Sequence, residues 1–133
     1  MPNCNGFIIL DLKNRKTVLV ESKSGNLSFP KGKIETFDKS DLDCAYRELK
    51  EETGITPNLI EKDDNITFSE LKKDNIRTVK YYIGYLKENY NDFKYDNSEL
   101  KSVKWYDFES IENLENLKLS RKEIFRQVKN IKN

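Results

Sequence analysis

The chain has 133 residues, is 36% hydrophobic and 35% charged, and carries a formal net charge of +1. That length and composition describe one folded domain with a real core and exclude a disordered chain. Histidine is absent, which removes Ser-His-Asp and Cys-His nucleophilic schemes, histidine zinc sites and a histidine general base. Any catalysis falls to carboxylates, Lys, Tyr or metal-assisted water chemistry.

The start, "MPNCNGFIIL", holds an apolar run of only four residues, so no signal peptide and no membrane span are expected. Cys4 and Cys44 are too few for a disulfide framework and fit a reducing, cytoplasmic setting. "GFIILDL" (residues 6–12) predicts a strand, "TVLVE" (17–21) its partner, and "KNRK" the turn between them. "NLSFPKGK" reads as a short extended piece, with Pro30 holding Phe29 in β or polyproline geometry. Gly32 then permits an unusual backbone angle or a close approach.

A helix is predicted over residues 41–53, with Ser40 as N-cap and Gly54 as the residue that ends it. Leu42, Ala45, Tyr46 and Leu49 form its apolar stripe, with the glutamates expected roughly opposite, away from the core. "ITPNLI" begins another extended segment, and residues 76–86 and 100–108 predict two strands. "DFESIENL" suggests a short helix. "SRKEIFRQVKNI" suggests a terminal helix capped by Ser120, with Ile124, Val128 and Ile131 on one stripe. From Lys118 onward, Lys118, Arg121, Lys122, Arg126, Lys129 and Lys132 face one acid, Glu123, so this end is +5 and residues 1–117 are −4. No repeat or linker divides residues 1–133, and the pattern is a single α/β or α+β domain.

One stretch of this helix, "RELKEETG", poses an electrostatic problem. Glu48, Glu51 and Glu52 share one helical face at spacings of three and four, where like charges repel. They also crowd toward the helix C-terminus, where the macrodipole disfavours negative charge. Arg47 can pair with Glu51 and orient the acids. A hard divalent ion would offset the remainder, since Mg²⁺ takes one or two carboxylates, waters and substrate phosphates. Lys31 and Lys33 would meet those phosphates. The alternative is a plain solvated face.

Residues 32–55, "GKIETFDKSDLDCAYRELKEETGI", resemble the signature of the Nudix family: Gly, five residues, Glu, seven residues, then Arg-Glu-apolar-x-Glu-Glu-x-Gly-apolar. Arg47, Glu48, Leu49, Glu51, Glu52, Gly54 and Ile55 match its second half. Fourteen residues separate Gly32 from Arg47 where the signature has thirteen, so its first Glu falls on Asp38 counting forward and on Lys39 counting back; Asp38 is the candidate.

The resemblance implies an α/β/α sandwich around a mixed sheet, with a catalytic helix and a C-terminal helix. It implies Mg²⁺- or Mn²⁺-dependent hydrolysis of a nucleoside diphosphate linked to another moiety. Carried over by residue, Glu48 and Glu52 would be the main metal ligands, with the Gly32 carbonyl beside them. Glu51 would bind a further metal or activate water, and Arg47 would orient the acids. Glu99, six residues before Trp105, is a candidate for a further ligand.

"GFIILD", "VLVE", "FPKGK" and "DLDCAYRELKEETG" are together similar to the catalytic domains of mRNA-decapping enzymes, which would make capped RNA the substrate. The basic terminal helix fits RNA, and no DNA specificity is expected. Diadenosine tetraphosphate hydrolases are the second resemblance, with Tyr81 and above all Tyr82 as candidate base-stacking rings. Diphosphoinositol polyphosphates are a third substrate class. An inactive binding module of the same fold is the reading from a different class.

Overall fold

The computed structural model describes residues 4–71 and 78–131. Lys132, counted in the basic end, and residues 76 and 77 of the expected strand lie outside them. The elements are β1 (Cys4–Asp11), β2 (Lys16–Ser22), β3 (Leu27–Ser28), β4 (Lys31–Lys33), α1 (Asp41–Thr53), β5 (Ile60–Leu71), β6 (Thr78–Leu86), β7 (Leu100–Asp107) and α2 (Leu119–Ile131). Short 3-10 turns cover Pro57–Leu59 and Phe108–Asn113.

β1 organises a mixed seven-stranded sheet. One edge pairs in parallel with β6, from Cys4 opposite Val79 to Leu10 opposite Tyr85. The other edge is shared. Leu10 and Asp11 pair with β2, and Cys4, Asn5 and Gly6 pair with β4. β2 therefore leaves β1 and pairs with β3 and β7, and β4 enters where they part. β5 covers the outer edge of β6.

Strand side chains alternate between faces, and here both faces are covered. Phe7 and Ile9 point into one core with Val18, Val20 and Val103 under Ala45 and Leu49 of α1. Ile8 and Leu10 point into the other with Phe29, Tyr81 and Ile83 under Ile124, Phe125 and Val128 of α2. Burial on both faces explains why "FIIL" is a continuous apolar run rather than an alternating one. The result is the expected α/β layering, with a helix on each side of a mixed sheet. No helix among the described residues is long and apolar enough to cross a membrane.

Helix α1 has the expected bounds. The Ser40 side chain accepts a hydrogen bond from the Asp43 N–H at 3.1 Å, and Gly54 ends the helix at φ 86°, a conformation that glycine adopts without penalty. Ser120, in contrast, is no cap. It lies inside α2, and its hydroxyl donates to Glu70 at 2.7 Å. β5 runs twelve residues, well beyond its expected start at "ITPNLI".

Candidate active site

The acids of α1 do not share one environment. Glu51 is exposed, but Glu48 and Glu52 are partly buried against β4, so the expectation of an all-solvent face is corrected. Helical geometry gives the reason. Glu52 follows Ala45 by seven residues and Leu49 by three, which sets it at the margin of the apolar stripe. Only Glu51 falls fully opposite that stripe.

Gly32 makes the close packing possible. A Cβ there would lie 2.0 Å from the Glu48 carboxyl carbon, so the glycine is required for close approach and not for a turn. The Gly32 carbonyl faces α1, where the Cys44 thiol lies 3.7 Å away. Burial pushes that thiol up to about 11, so Cys44 is a small core group here. The next turn of the helix is held from β4 as well: the Lys31 N–H donates to Glu52 Oε1 at 3.1 Å.

Arg47 is the hub that offsets the repulsion. Its Nε and Nη2 donate to the two Asp38 oxygens at 2.9 and 2.8 Å. Nη1 donates to Glu48 at 3.0 Å and to Glu51 at 2.9 Å, and Nη2 also reaches the Lys33 carbonyl at 3.1 Å. This uses the planar guanidinium fork, which an ammonium could not reproduce. The Arg47 bonds hold Asp38 down to about 2, despite a side chain only 3% exposed. Of the two positions reached by counting, Asp38 is the one that Arg47 bonds, which ties the loop to α1.

Glu52 is left in the least favourable position. Burial, aided by the charges of Glu48 and Glu51, pushes it up to about 7 against the Lys31 N–H and the Lys31 charge. Burial also raises Glu48, opposed by Arg47. Desolvated carboxylates in a cleft are a functional signal with a physical rationale. Their donor chemistry fits a hard divalent ion, with two carboxylates beside a backbone carbonyl. Among the described residues no three acidic or thiol side chains form a ready cage.

The remaining candidates are dispersed. Lys33 is exposed on β4. Lys31 lines a cavity of about 190 Å³ with Ser22, Asn26, Ser28, Lys118 and Arg121. Glu99 lies in the exposed turn before β7, whose Leu100 pairs with Ser22, at the end of β2 that has parted from β1. No side-chain bond joins Glu99 to the α1 acids among the described residues.

The tyrosines are corrected by the two-sided core. Tyr81 is fully buried on the α2 face and donates to Glu70 at 2.9 Å. Tyr82 is 9% exposed on the α1 face, its ring against Phe7 at 5.8 Å and beneath the Lys80 ammonium at 5.1 Å. Neither ring offers an open face for a base. The sequence reading missed Phe37, an exposed ring over Arg47, because no periodicity marks a turn residue.

The NUDIX domain model matches residues 2–128. The chain belongs to the NUDIX family. Members of this family hydrolyse acid anhydrides in nucleotide-linked substrates and generally use divalent metals. It is 32% identical over 107 residues to the m7GpppN-mRNA hydrolase of Saccharomyces cerevisiae, covering 80% of this chain and 11% of that protein. It is 50% identical over 52 residues to mRNA decapping complex subunit 2 of Schizosaccharomyces pombe, covering 38% of this chain and 7% of that protein. The chain therefore spans only about a tenth of the length of these relatives. Its fold matches a Caenorhabditis elegans Ap4A hydrolase with a TM-score of 0.82 at 20% identity, over 95% of both chains.

Proposed function

We propose that this Nudix hydrolase cleaves a pyrophosphate bond in the 5′ cap of mRNA, at the face of α1 that carries Glu48 and Glu52. The observation that carries the catalytic reading is the partly buried Glu52, held by the Lys31 N–H beside Glu48, whose carboxyl packs against Gly32. Glu48, Glu52 and the Gly32 carbonyl would hold Mg²⁺ or Mn²⁺, with Glu51 and Glu99 as further ligands. Such an ion supplies charge neutralisation at phosphate oxygens and makes water more acidic.

The protein's own residues do the positioning. Arg47 holds Glu48 and Glu51 in one orientation. Glu51, the exposed acid, accepts a proton as water attacks phosphorus. The anhydride P–O bond then breaks and the bridging oxygen leaves on the departing phosphate. Lys31 and Lys33 stabilise the phosphate charge, and prior orientation accounts for most of the rate.

The cap as substrate is supported by the two decapping relatives and by the basic cavity. Lys31 joins that cavity to the α1 acids, because its N–H bonds Glu52 while its residue lines the cavity beside Lys118. The basic end contributes less than its +5 suggests. Arg121 is buried against Glu70, and Arg126 pairs with Glu112. Deleting α2 would also remove Ile124, Phe125 and Val128 from the core, so charge reversal at Lys118 and Lys122 is the cleaner probe of RNA contact.

The test supplies Mg²⁺ or Mn²⁺ with capped RNA, diadenosine tetraphosphate or a diphosphoinositol polyphosphate. Release of the methylated nucleoside diphosphate from capped RNA is expected. Turnover of either other substrate without capped RNA overturns the cap assignment, and turnover of none overturns hydrolysis at this site.

A further inference from the structure

We propose that Phe37 is a specificity-determining residue that stacks the planar base of the nucleotide substrate. This rests on the reading that a nucleotide reaches the α1 acids. Phe37 sits at the tip of a closed turn. The Asp38 N–H donates to the Glu35 carbonyl at 3.0 Å, and the Glu35 N–H donates to Asp38 Oδ2 at 2.8 Å. Asp38 is bonded twice by Arg47, so the turn is locked to the helix that carries the acids. The tip has little freedom to bury its ring elsewhere.

The ring is 69% exposed, an unusual state for a phenylalanine. Single exposed apolar residues are common and need no explanation by themselves. Phe37 differs in what lies beneath it. The Arg47 guanidinium carbon is 5.1 Å from the ring centroid, so a cation backs one side of the ring. That same guanidinium bonds Glu48 and Glu51. The ring is thus joined through one guanidinium to two of the acids. The loop that carries this turn is also the one with fourteen residues between Gly32 and Arg47, which gives the aromatic tip its place.

Four of the other rings are committed to packing. Tyr81 and Tyr82 are in the core, Tyr46 packs on Phe7 at 4.9 Å, and Trp105 packs on Phe93 and donates to the Tyr90 carbonyl. Stacking on an aromatic face is tolerant of base identity. Phe37 would thus select for the presence of a base more than for which base it is.

The experiment compares wild type, Phe37→Ala and Phe37→Trp. Binding of GDP and of inorganic pyrophosphate is measured, with KM and kcat on capped RNA and diadenosine tetraphosphate. Phe37→Ala should weaken GDP about 5- to 100-fold and raise KM accordingly, while pyrophosphate affinity moves less than about twofold. Phe37→Trp should restore GDP binding, with its added fluorescence quenched beyond the Trp105 background. Equal GDP affinity in wild type and Phe37→Ala overturns the proposal and leaves the nucleotide reading standing. Equal weakening of GDP and pyrophosphate also overturns it, since Phe37 would then act only by holding Arg47. A wild type that neither binds GDP nor hydrolyses either nucleotide substrate overturns the underlying reading and this proposal with it.

Discussion

Glu52 and Glu70 are both carboxylates withdrawn from solvent, one on α1 facing β4 and one on β5 beside α2, and their surroundings are opposite. Glu70 is 6% exposed and fully provided for: Tyr81 and Ser120 hydroxyls donate to it at 2.9 and 2.7 Å, and Arg121 Nε at 3.3 Å. Burial pushes it up, but Ser120, Arg121 and Tyr81 outweigh burial and hold it below the usual range. Glu52 has one backbone N–H and the Lys31 charge against burial and two acidic neighbours, and it is pushed up to about 7. A buried carboxylate with its partners present is structural. One whose partners are incomplete stores a cost that a cation can relieve.

The largest effect should come from breaking the acid whose partners are incomplete. Glu52→Gln should lower kcat by at least about a hundredfold. At pH 8 it should also raise the thermal midpoint of the metal-free protein, because an amide there carries no buried charge. Thermal melts with EDTA alongside turnover assays check both. Loss of activity together with loss of stability would place Glu52 with Glu70 as a structural group.

The complementary change is Arg121→Ala, which leaves Glu70 buried without its cation. Breaking a buried pair in this way costs about 3–5 kcal/mol, a shift of roughly ten degrees or more in a domain of this size. Replacing both partners, Glu70→Leu with Arg121→Met, should recover much of that loss, since removing the whole pair leaves no orphaned charge. Chemical denaturation measures each variant. If Arg121→Ala melts like the wild type, the contrast drawn between the two carboxylates fails.

pH should separate the two groups by sign. Glu52 has a folded value raised above its usual 4.5 to about 7, so the folded metal-free protein binds the extra proton. Its stability should fall as pH rises from about 4.5 through 7, by on the order of 1–3 kcal/mol, and level off above. Glu70 and Asp38 are held low, so their contribution is present above their unfolded values and is lost as pH falls, for Asp38 down to about 2. The metal-free protein should therefore be most stable near pH 5. Saturating Mg²⁺ should move that optimum toward neutrality, and Glu52→Gln should abolish the descent between pH 5 and 7. Melting curves across pH, with and without Mg²⁺, give the comparison.

The two carboxylates also differ in how legible they were. Helix α1 could be read to the residue because its signals are local: the Ser40 cap, the Gly54 stop and the spacing of Leu42, Ala45 and Leu49 all lie within fifteen residues. The acids at Glu48, Glu51 and Glu52 share that advantage, although which of them would be buried depended on β4 packing against the helix. Glu70 had no such signature. Its partners Ser120 and Arg121 are 50 and 51 residues away, and its strand, "IEKDDNITFSEL", shows no clean alternation because it lies at the sheet edge and is half solvated. Arg121 accordingly looked like one more cation of a basic helix. Tyr81 and Tyr82 looked available for stacking because a strand read alone does not reveal that helices cover both of its faces. Phe37 depends on a turn fixed by the Asp38–Arg47 contact, and nothing in the spacing of those two residues marks the ring beside Asp38 as exposed.

A third carboxylate sharpens the contrast at the smallest scale. Glu112 is paired with Arg126, as Glu70 is with Arg121, but both side chains of this pair are nearly half exposed, at 41% and 49%. Pairing alone therefore does not decide the energetic role. In water-facing positions the attraction is screened and the long side chains lose rotamer freedom, so such a pair contributes only a small fraction of what a buried pair does. Arg126→Ala should shift the denaturation midpoint by no more than that, and the shift should shrink further in 1 M salt. The Arg121→Ala loss should persist in the same salt, because that pair is shielded from ions. A double-mutant cycle on Glu112 and Arg126 measures the coupling directly. A value near that of the Glu70 pair would mean that burial is not what separates a structural carboxylate from a surface one, and the reading of Glu52 as the unmet acid would lose its physical basis.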